Sequence, residues 1–475
     1  YSWSLGNESG VGANHAAMTG WVKEYDPDRL CQYESGNPGK NISDVRGYMY
    51  APIVDIMQML TDPEDTRPIV LVEYLYQICN SGGGMNKFYE LVENYKRFQG
   101  GYIWDWMDKA LINRTDSLDE YYAYGGDFSE SVVDEYYPKF MTNNGIILPD
   151  LTPKPVAYEV KHYYCPIIIE EEKYNSPWVL DPGPSHLIIK NRNLVLDSSN
   201  YKIIYTIREN GLPVKSGEYE LPLLKAGDQT RLKLPEYDKK PDKKYLIDFS
   251  IRYARATAFA DEGYELGCYQ FAPDGGIGYS YAGISGKLSP DTSENFADNL
   301  WEISYLPDRI RLKNHDTSVV FDRNNGLISS LSKGDTVFLI GGPKECFTRP
   351  LSGLDACDWW GRRPLWKLFD ESNTFAKLEN ITVKPAGADI LVETQKSFRF
   401  SEHPGISKIK AFYIIKPDGN INVSYSFVLD SSLPDLPRVG VELVIPEGFE
   451  ALEYYGRGPI ENYRDRKGAA ILAVH

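Results

Sequence analysis

The segment PIVLVEY, residues 68–74, decides the fold of the first part of the chain. Its continuous apolar run ends in Glu73, and such a run is typical of a strand that is buried on both faces. Strands of this kind form parallel sheets, in which helices connect one strand to the next. A helical apolar pattern follows in residues 86–98, and the strand-like GYIWD follows in residues 101–105. We therefore predict alternating strands and helices around a parallel sheet for residues 1–165.

A second apolar stretch that ends in a glutamate lies at the beginning of the chain. WSLGNESG, residues 3–10, ends its apolar part in Asn7 and Glu8, and helical spacing follows in residues 14–25. In barrels of alternating strands and helices, the carboxyl ends of the strands form the active site. Glu8 and Glu73 are 65 residues apart, so both can lie on the same face of such a barrel, two or three strands apart. A pair of facing carboxylates is what glycoside hydrolysis requires, whereas a helix cap or a surface acid is the alternative for Glu8 alone.

An indole lies at a third strand end. QGGYIWDW, residues 99–106, places Trp104 where a strand leaves the sheet. An indole at such a point can stack against the apolar face of a sugar, and packing in a core is the alternative.

From about residue 166 the apolar pattern changes to a period of two, which predicts a small antiparallel sandwich of about 120 residues. Residues 187–189, 201–207 and 245–252 are strand-like, and no helix of consequence is predicted in this part. From about residue 290 a second β-rich region follows. Short turn sequences that favour hairpins occur at Asn210-Gly211, Asn324-Asn-Gly326 and Asp418-Gly-Asn420.

Composition excludes several classes of protein. The net charge is −16 and no basic stripe is present, which argues against binding nucleic acid. No apolar run reaches the roughly 18 residues that a membrane-spanning helix needs. The six cysteines form no CxxC pair, so we expect free thiols rather than a zinc site or a disulfide scaffold. Because residue 1 is a tyrosine inside a strand-like stretch, we expect the chain to start within a domain.

Taken together, these stretches resemble the large multi-domain bacterial β-galactosidases of glycoside hydrolase family 2. The motifs that carry the resemblance run in family order from end to end. They are WSLGNESG (3–10) with GANH (12–15), Glu73-Tyr74, Asn80-Ser81, Gly100-Gly101 with WDW (104–106), YGGDF (124–128), Asn144-Gly145, TPKP (152–155), FTRP (347–350) and GRGPIENY (456–463).

The resemblance implies a multi-domain fold that combines α/β and all-β parts. Residues 1–165 resemble the second half of a (β/α)₈ TIM barrel. Residues 166–288 resemble an immunoglobulin-like β-sandwich, and residues 289–475 the N-terminal part of a large β-sandwich. The first barrel half would precede residue 1 and would be needed for a complete barrel.

The resemblance also implies roles for single residues. Glu8 matches the general acid/base and Glu73 the nucleophile. The implied sugar-binding residues are Asn7, Tyr50, Tyr76, Trp104 and Asn144. Glu8 matches a Mg²⁺ ligand whose co-ligands would precede residue 1. Phe140 and Asn144 resemble a Na⁺ site made of a carbonyl and a side-chain amide. No organic cofactor is implied.

The implied activity is that of a retaining exo-β-galactosidase that releases terminal β-D-galactose from an oligosaccharide. Some members have a histidine where this chain has Tyr76, which leaves the exact sugar open. The alternatives are a β-glucuronidase or mannosidase of the same family, a non-catalytic carbohydrate-binding protein, and an incomplete chain without activity of its own. A homo-oligomer is expected by resemblance, and both a cytoplasmic and a periplasmic bacterial location stay open.

Overall fold

The computed structural model describes residues 1–78, 81–128, 142–172, 187–273, 301–349, 374–400 and 403–475. The chain divides into two compact units. The first contains residues 1–278 and 453–475, and the second contains residues 279–452. Within the described ranges, no helix has the length and apolarity needed to cross a membrane. The four described cysteines are free thiols, as expected.

The first part of the chain contains parallel strands and connecting helices, as the apolar pattern predicts, but the parallel strands form two separate sheets and residues 111–123 contain an antiparallel pair. In chain order the elements are β1 (Ser2–Ser4), α1 (Ala13–Tyr25), β2 (Leu30–Gln32), β3 (Arg46–Met49), α2 (Ile53–Thr61), β4 (Ile69–Tyr74), α3 (Met85–Asn94), β5 (Phe98–Ile103), β6 (Leu111–Arg114), β7 (Glu120–Ala123) and α4 (Pro155–Tyr164). The predicted helix over 86–98 is shorter, and the predicted strand over 101–105 starts earlier. The reason is that Phe98 already pairs with Ile69 in the sheet.

The parallel pairing brings the carboxyl ends of the strands to common edges. β1 pairs with β2, and β3, β4 and β5 form a separate three-stranded parallel sheet. Ile69 and Leu71 of β4 are fully buried in a core with Ile56 of α2 and Phe98 of β5. The charged end of β4 therefore follows directly from a strand that is anchored in the core.

A β-sandwich follows. Its strands are β8 (Ile167–Glu171), β9 (Leu187–Asn191), β10 (Tyr201–Glu209), β11 (Leu212–Tyr219), β12 (Gln229–Leu232), β13 (Tyr245–Tyr253) and β14 (Glu265–Phe271). One sheet has the order β12-β9-β8 and the other the order β11-β10-β13-β14. Apolar side chains from both sheets, such as Ile189, Ile203 and Phe249, share one core. A single 3₁₀ turn (Ser198–Asn200) interrupts the described strands.

The second unit is built from strands in its described residues. They are β15 (Glu302–Tyr305), β16 (Arg309–Lys313), β17 (Thr317–Asp322), β18 (Ile328–Lys333), β19 (Thr336–Leu339), β20 (Gly341–Cys346), β21 (Thr374–Ala386), β22 (Asp389–Phe400), β23 (Ser407–Ile415), β24 (Ile421–Val428) and β25 (Gly440–Val444). β21 to β24 form a four-stranded antiparallel sheet. Its side chains share a core with β16 and β17, including Phe321 and Tyr413. These residues therefore form another β-sandwich.

All three predicted hairpin turns are confirmed. Asn210-Gly211 joins β10 to β11, and both residues have positive φ angles, +52° and +87°. Two central residues in the left-handed region are what a tight type I′ turn requires, and Asn-Gly supplies them at low cost. The other two turns join β17 to β18 and β23 to β24.

The last segment, residues 453–475, belongs to the first unit. It contains β26 (Tyr455–Gly458) and β27 (Ile471–Val474), which pair antiparallel. The side-chain amide of Gln270 on β14 exchanges two hydrogen bonds of 2.8 Å with the backbone of Leu472. The Glu159 carboxylate of α4 accepts from the backbone N–H groups of Gly468 and Ala469, each at 3.1 Å. The segment thus contacts both the barrel-like part and the first sandwich.

Candidate active site

The loop that carries Glu8 is held by the residues that follow β2. The Glu8 backbone N–H donates to Oε1 of Glu34 at 2.9 Å, and the Ser9 N–H donates to the Tyr33 hydroxyl at 2.9 Å. That hydroxyl in turn donates to the Gly10 carbonyl at 2.6 Å. Glu8 has a φ of +47°, a costly backbone conformation for a residue other than glycine. These hydrogen bonds offset that cost and fix the position of the Glu8 backbone.

Glu73 lies near the end of β4, next to Tyr50 on the loop after β3. The Tyr50 hydroxyl donates to Oε2 of Glu73, and the Tyr50 N–H donates to the Glu73 carbonyl at 2.9 Å. Burial, the hydrogen bond to Glu73 and nearby negative charge raise the pKa of Tyr50 above its usual value. Glu8 contributes to that negative charge. Tyr50 therefore stays protonated as a donor, and both glutamates lie within electrostatic reach of its hydroxyl.

Tyr76 and Asn144 extend this group of side chains. The Tyr76 ring packs edge-on against Tyr50, with ring centroids 5.7 Å apart. The amide nitrogen of Asn144 donates to the Tyr76 hydroxyl at 3.3 Å. Asn144 is buried, and its backbone carbonyl accepts a hydrogen bond from the Asp105 N–H at 2.7 Å. A continuous row of contacts thus runs from Glu73 to the loop that contains Asn144.

Trp104 follows β5 and is 37% exposed. Its backbone N–H donates to the Tyr74 carbonyl at 3.1 Å, and its carbonyl accepts the Gln77 N–H at 2.9 Å. The Trp104–Asp105 peptide bond is cis. The backbone at this indole is therefore fixed to the segment that directly follows Glu73, while part of the ring stays open to a ligand.

Two residues that the sequence did not single out belong to the same region. Glu34 is buried and holds the Glu8 backbone. The Lys109 ammonium pairs with Asp105 and lies 5.3 Å from the centroid of the Trp104 ring. Glu34 also comes just after a strand, but Leu30–Gln32 has only three residues and gives no recognisable apolar run. No local pattern in the sequence around Lys109 indicates that it lies at the site.

The structure therefore groups most of the predicted site residues, namely Glu8, Glu73, Tyr50, Tyr76, Trp104 and Asn144. Asn7 is exposed, and its carbonyl accepts the Ser9 hydroxyl at 2.7 Å. Its contact with a sugar stays a prediction. Phe140 lies outside the described residues. The roles assigned to the individual side chains stay predictions as well.

The predicted metal sites can be compared with the side chains around them. Within the part of the chain that the structure describes, no three His, Cys, Asp or Glu residues gather as a metal site. Mg²⁺ at Glu8 therefore stays a prediction that depends on other ligands. Oδ1 of Asn144, the predicted Na⁺ ligand, accepts a hydrogen bond from the Lys109 ammonium at 2.9 Å. A sodium ion at this oxygen does not fit beside that positive charge.

Three family models match the chain. The model described as "Glycosyl hydrolases family 2, TIM barrel domain" matches residues 2–169. "Beta-galactosidase, domain 4" matches residues 187–273, and "Beta galactosidase small chain" matches residues 313–475. The exact domain boundaries predicted from the sequence stay predictions.

Curated relatives named beta-galactosidase match over nearly the whole chain. The protein from Photobacterium profundum is 29% identical, over 100% of this chain and 46% of its own length. The protein from Oenococcus oeni is 29% identical, over 98% of this chain and 45% of its own length. The protein from Priestia megaterium is 28% identical, over 100% of this chain and 43% of its own length. This chain thus spans less than half the length of these relatives.

Among solved structures, an FMN-binding beta-glucuronidase from Facaelibacterium prausnitzii matches 58% of this chain and 41% of its own, with 12% identity and a TM-score of 0.26. A TM-score this low does not establish a shared arrangement of domains. The three matched domains follow one another along the chain, and the curated relatives align with it from end to end. The chain is thus similar to glycoside hydrolases of family 2 in its TIM-barrel part and to proteins named beta-galactosidase along its whole length.

Proposed function

We propose that this chain carries the acid/base and the nucleophile of a retaining exo-β-galactosidase. The observation that carries the proposal is the Tyr50 hydroxyl, which donates to Glu73 while both Glu73 and Glu8 act on its pKa. This hydrogen bond holds the Glu73 carboxylate in one direction, and a nucleophile needs such a fixed position to attack the anomeric carbon. The names and family matches of the relatives support a glycosidase of this kind.

The proposed reaction has two steps. Glu73 attacks the anomeric carbon while protonated Glu8 donates its proton to the glycosidic oxygen, so the alcohol leaves and a covalent glycosyl ester forms. Glu8, now a carboxylate, takes a proton from water. The water oxygen attacks the anomeric carbon, the bond to Glu73 breaks, and the sugar leaves with its configuration retained.

The side chains around Glu73 favour a neutral sugar over a uronic acid. Lys109 is the cation beside Trp104, but its charge is balanced by Asp105. Among the described contacts of Tyr50, Glu73 and Trp104, Lys109 is the cation, so a glucuronide carboxylate would compete with Asp105 for it. Like charges at close range weaken binding. We therefore expect galactosides to be preferred over glucuronides.

The proposed architecture is the second half of a (β/α)₈ barrel, followed by an immunoglobulin-like sandwich and the beginning of a large sandwich. Because the chain spans 46% of the first curated relative, activity is proposed for the whole protein that contains this chain.

The test is a substrate panel. The whole protein is assayed with the 4-nitrophenyl β-galactoside, β-glucuronide, β-glucoside and β-mannoside. We expect the galactoside to have the highest kcat/KM, and Glu73→Gln to lower it by at least about 10³-fold. A preference for the glucuronide would contradict the proposed sugar. Full activity in Glu73→Gln would contradict the proposed nucleophile.

A further inference from the structure

The Lys109 side chain reaches the sugar-binding residues from outside the strand ends. Its ammonium pairs with Asp105 and donates to Oδ1 of Asn144 at 2.9 Å. The same nitrogen lies 5.3 Å from the Trp104 ring centroid. Its backbone is fixed as well, because the Lys109 N–H donates to the Thr142 carbonyl at 2.9 Å. The charge is thus held at a defined place beside the indole.

The oxygens around this ammonium are the kind that an alkali-metal ion would use. A carboxylate oxygen and an amide oxygen suit hard cations. Here the oxygens of Asp105 and Asn144 both accept hydrogen bonds from the Lys109 ammonium. Asn144 cannot turn its Oδ1 away from Lys109 without also moving the amide nitrogen that donates to Tyr76. The site therefore already contains its positive charge, in the form of a side chain.

The ammonium has one hydrogen more than these two contacts use. A lysine carries three N–H donors and no acceptor. Of these, one goes to Asp105 and one to Asn144. A sugar that stacks on the exposed part of Trp104 would present its hydroxyls within reach of the third. Because Asp105 balances the charge, the pair favours a neutral hydroxyl as the partner.

We propose that Lys109 takes the place of an alkali-metal ion in the sugar site and donates a hydrogen bond to a hydroxyl of the bound galactoside. The inference rests on the proposed galactosidase function. Lys109 is then a substrate-binding residue that also positions Asn144, and turnover does not depend on Na⁺ or K⁺.

The first test uses the unchanged protein. kcat and KM for 4-nitrophenyl β-galactoside are measured at constant ionic strength in NaCl, KCl and choline chloride. We expect kcat/KM to differ by less than about twofold among the three, because the ammonium is always present. A loss of tenfold or more in choline chloride would overturn the inference and leave the proposed function intact. No turnover in any salt would overturn both.

The second test removes the charge. Lys109→Met should lower kcat/KM in choline chloride by about tenfold or more, mainly through KM, as expected for a lost charge-assisted hydrogen bond. NaCl should restore part of this loss, since the oxygens of Asp105 and Asn144 become free for a cation. Lys109→Arg, which keeps the charge, should recover most of the activity. These responses to salt would not arise from a general loss of structure.

Lys202→Met is the matched control, because Lys202 is ion-paired to Glu262 at 3.0 Å on the first sandwich, away from the site. It should behave as the unchanged protein in every salt. Wild-type kcat/KM in folded Lys109→Met would overturn the inference. If that variant does not fold, the salt series on the unchanged protein decides the matter.

Discussion

The Tyr50 hydroxyl donates a hydrogen bond to the Glu73 carboxylate and thereby fixes its direction. Tyr50→Phe removes this one hydrogen bond and leaves the ring contact with Tyr76 in place. We expect kcat to fall by about 10- to 100-fold, which corresponds to about 1.5–3 kcal/mol for a hydrogen bond to a charged group. KM should change little. Steady-state kinetics with 4-nitrophenyl β-galactoside measures both.

Tyr48→Phe is the control, because Tyr48 lies on β3 and, in the described contacts, makes no hydrogen bond to Glu73. It should keep kcat within about twofold. Equal losses in both variants would mean that the Tyr50 hydroxyl has no special role.

Glu34 positions the proposed acid through its backbone. Glu34→Leu leaves the Glu8 N–H and the Ser35 hydroxyl without their acceptor. We expect kcat/KM for phenyl β-galactoside to fall by about tenfold, because this leaving group needs a proton from Glu8. For 2,4-dinitrophenyl β-galactoside, which leaves without a proton, the loss should stay below about threefold.

Glu34→Gln keeps an oxygen acceptor and should lose less than Glu34→Leu on the phenyl substrate. The ratio between the two substrates separates a positioning role from general damage. If both substrates lose activity by the same factor, Glu34 supports the fold and not the acid.

At the level of single residues, the sequence indicated those candidate site residues that follow a recognisable strand. Glu8, Glu73 and Trp104 each follow a local apolar stretch, so a local pattern was enough. Lys109 reaches the site because the segments that contain Asp105 and Asn144 pack together. That contact joins residues 39 apart in the chain and leaves no periodic signal.

Among the elements, α4 contains a titratable group with a clear consequence for stability. Burial lowers the pKa of His162 to about 4. The ring packs against Tyr163 and Tyr269, with centroids 4.9 Å apart in each pair. The unfolded chain, with an ordinary histidine pKa of about 6.5, binds a proton more readily than the folded one. The contribution of neutral His162 to the free energy of unfolding is therefore fully present above a pH of about 6.5, and it is lost as the pH falls from there toward 4.

From these two pKa values, His162 should make the fold about 2 kcal/mol less stable at pH 5 than at pH 7. His162→Gln removes this contribution. The midpoint of thermal unfolding, measured at pH 7 and pH 5, should therefore fall less in the variant than in the unchanged protein. Equal falls would show that His162 is not buried in its neutral form.

Helices were harder to predict than strands and turns. α2 (Ile53–Thr61) and α4 (Pro155–Tyr164) were not predicted, and neither has a side chain that caps its N-terminus. Proline at the first position of α4 was the available signal, because its ring favours a helix start. The hairpins were found because asparagine and glycine supply the positive φ angles that tight turns need.

At the scale of the whole molecule, the last segment of the chain stabilises the region around Glu73. Arg466 donates to the Ser81 carbonyl at 2.7 Å, and the Gly84 N–H donates to the Asp465 carbonyl at 2.7 Å. Ser81 and Gly84 follow Glu73 by eight and eleven residues. This packing joins positions almost 400 residues apart, and no local pattern in the sequence predicts it.

Glu159→Leu tests this packing, since it leaves the N–H groups of Gly468 and Ala469 without their acceptor. We expect a loss of about 2 kcal/mol, because each partly buried donor that loses its acceptor costs about 1 kcal/mol, at the lower end of the range for unsatisfied groups. The change is read from the midpoint of thermal unfolding at a fixed scan rate.

Glu170→Leu is the control, because Glu170 forms a partly exposed ion pair with Lys190. Such pairs contribute about 1 kcal/mol or less. A loss in Glu159→Leu no larger than in this control would mean that residues 453–475 do not depend on Glu159.

The most direct test of the account labels the proposed nucleophile. The whole protein is incubated with 2-deoxy-2-fluoro-β-galactosyl fluoride, and the adduct is located by peptide mass spectrometry. We predict one covalent fluorogalactosyl group per chain on Glu73, and none in Glu73→Gln. An adduct on another residue, or turnover of galactosides with inverted configuration and no adduct, would contradict the account.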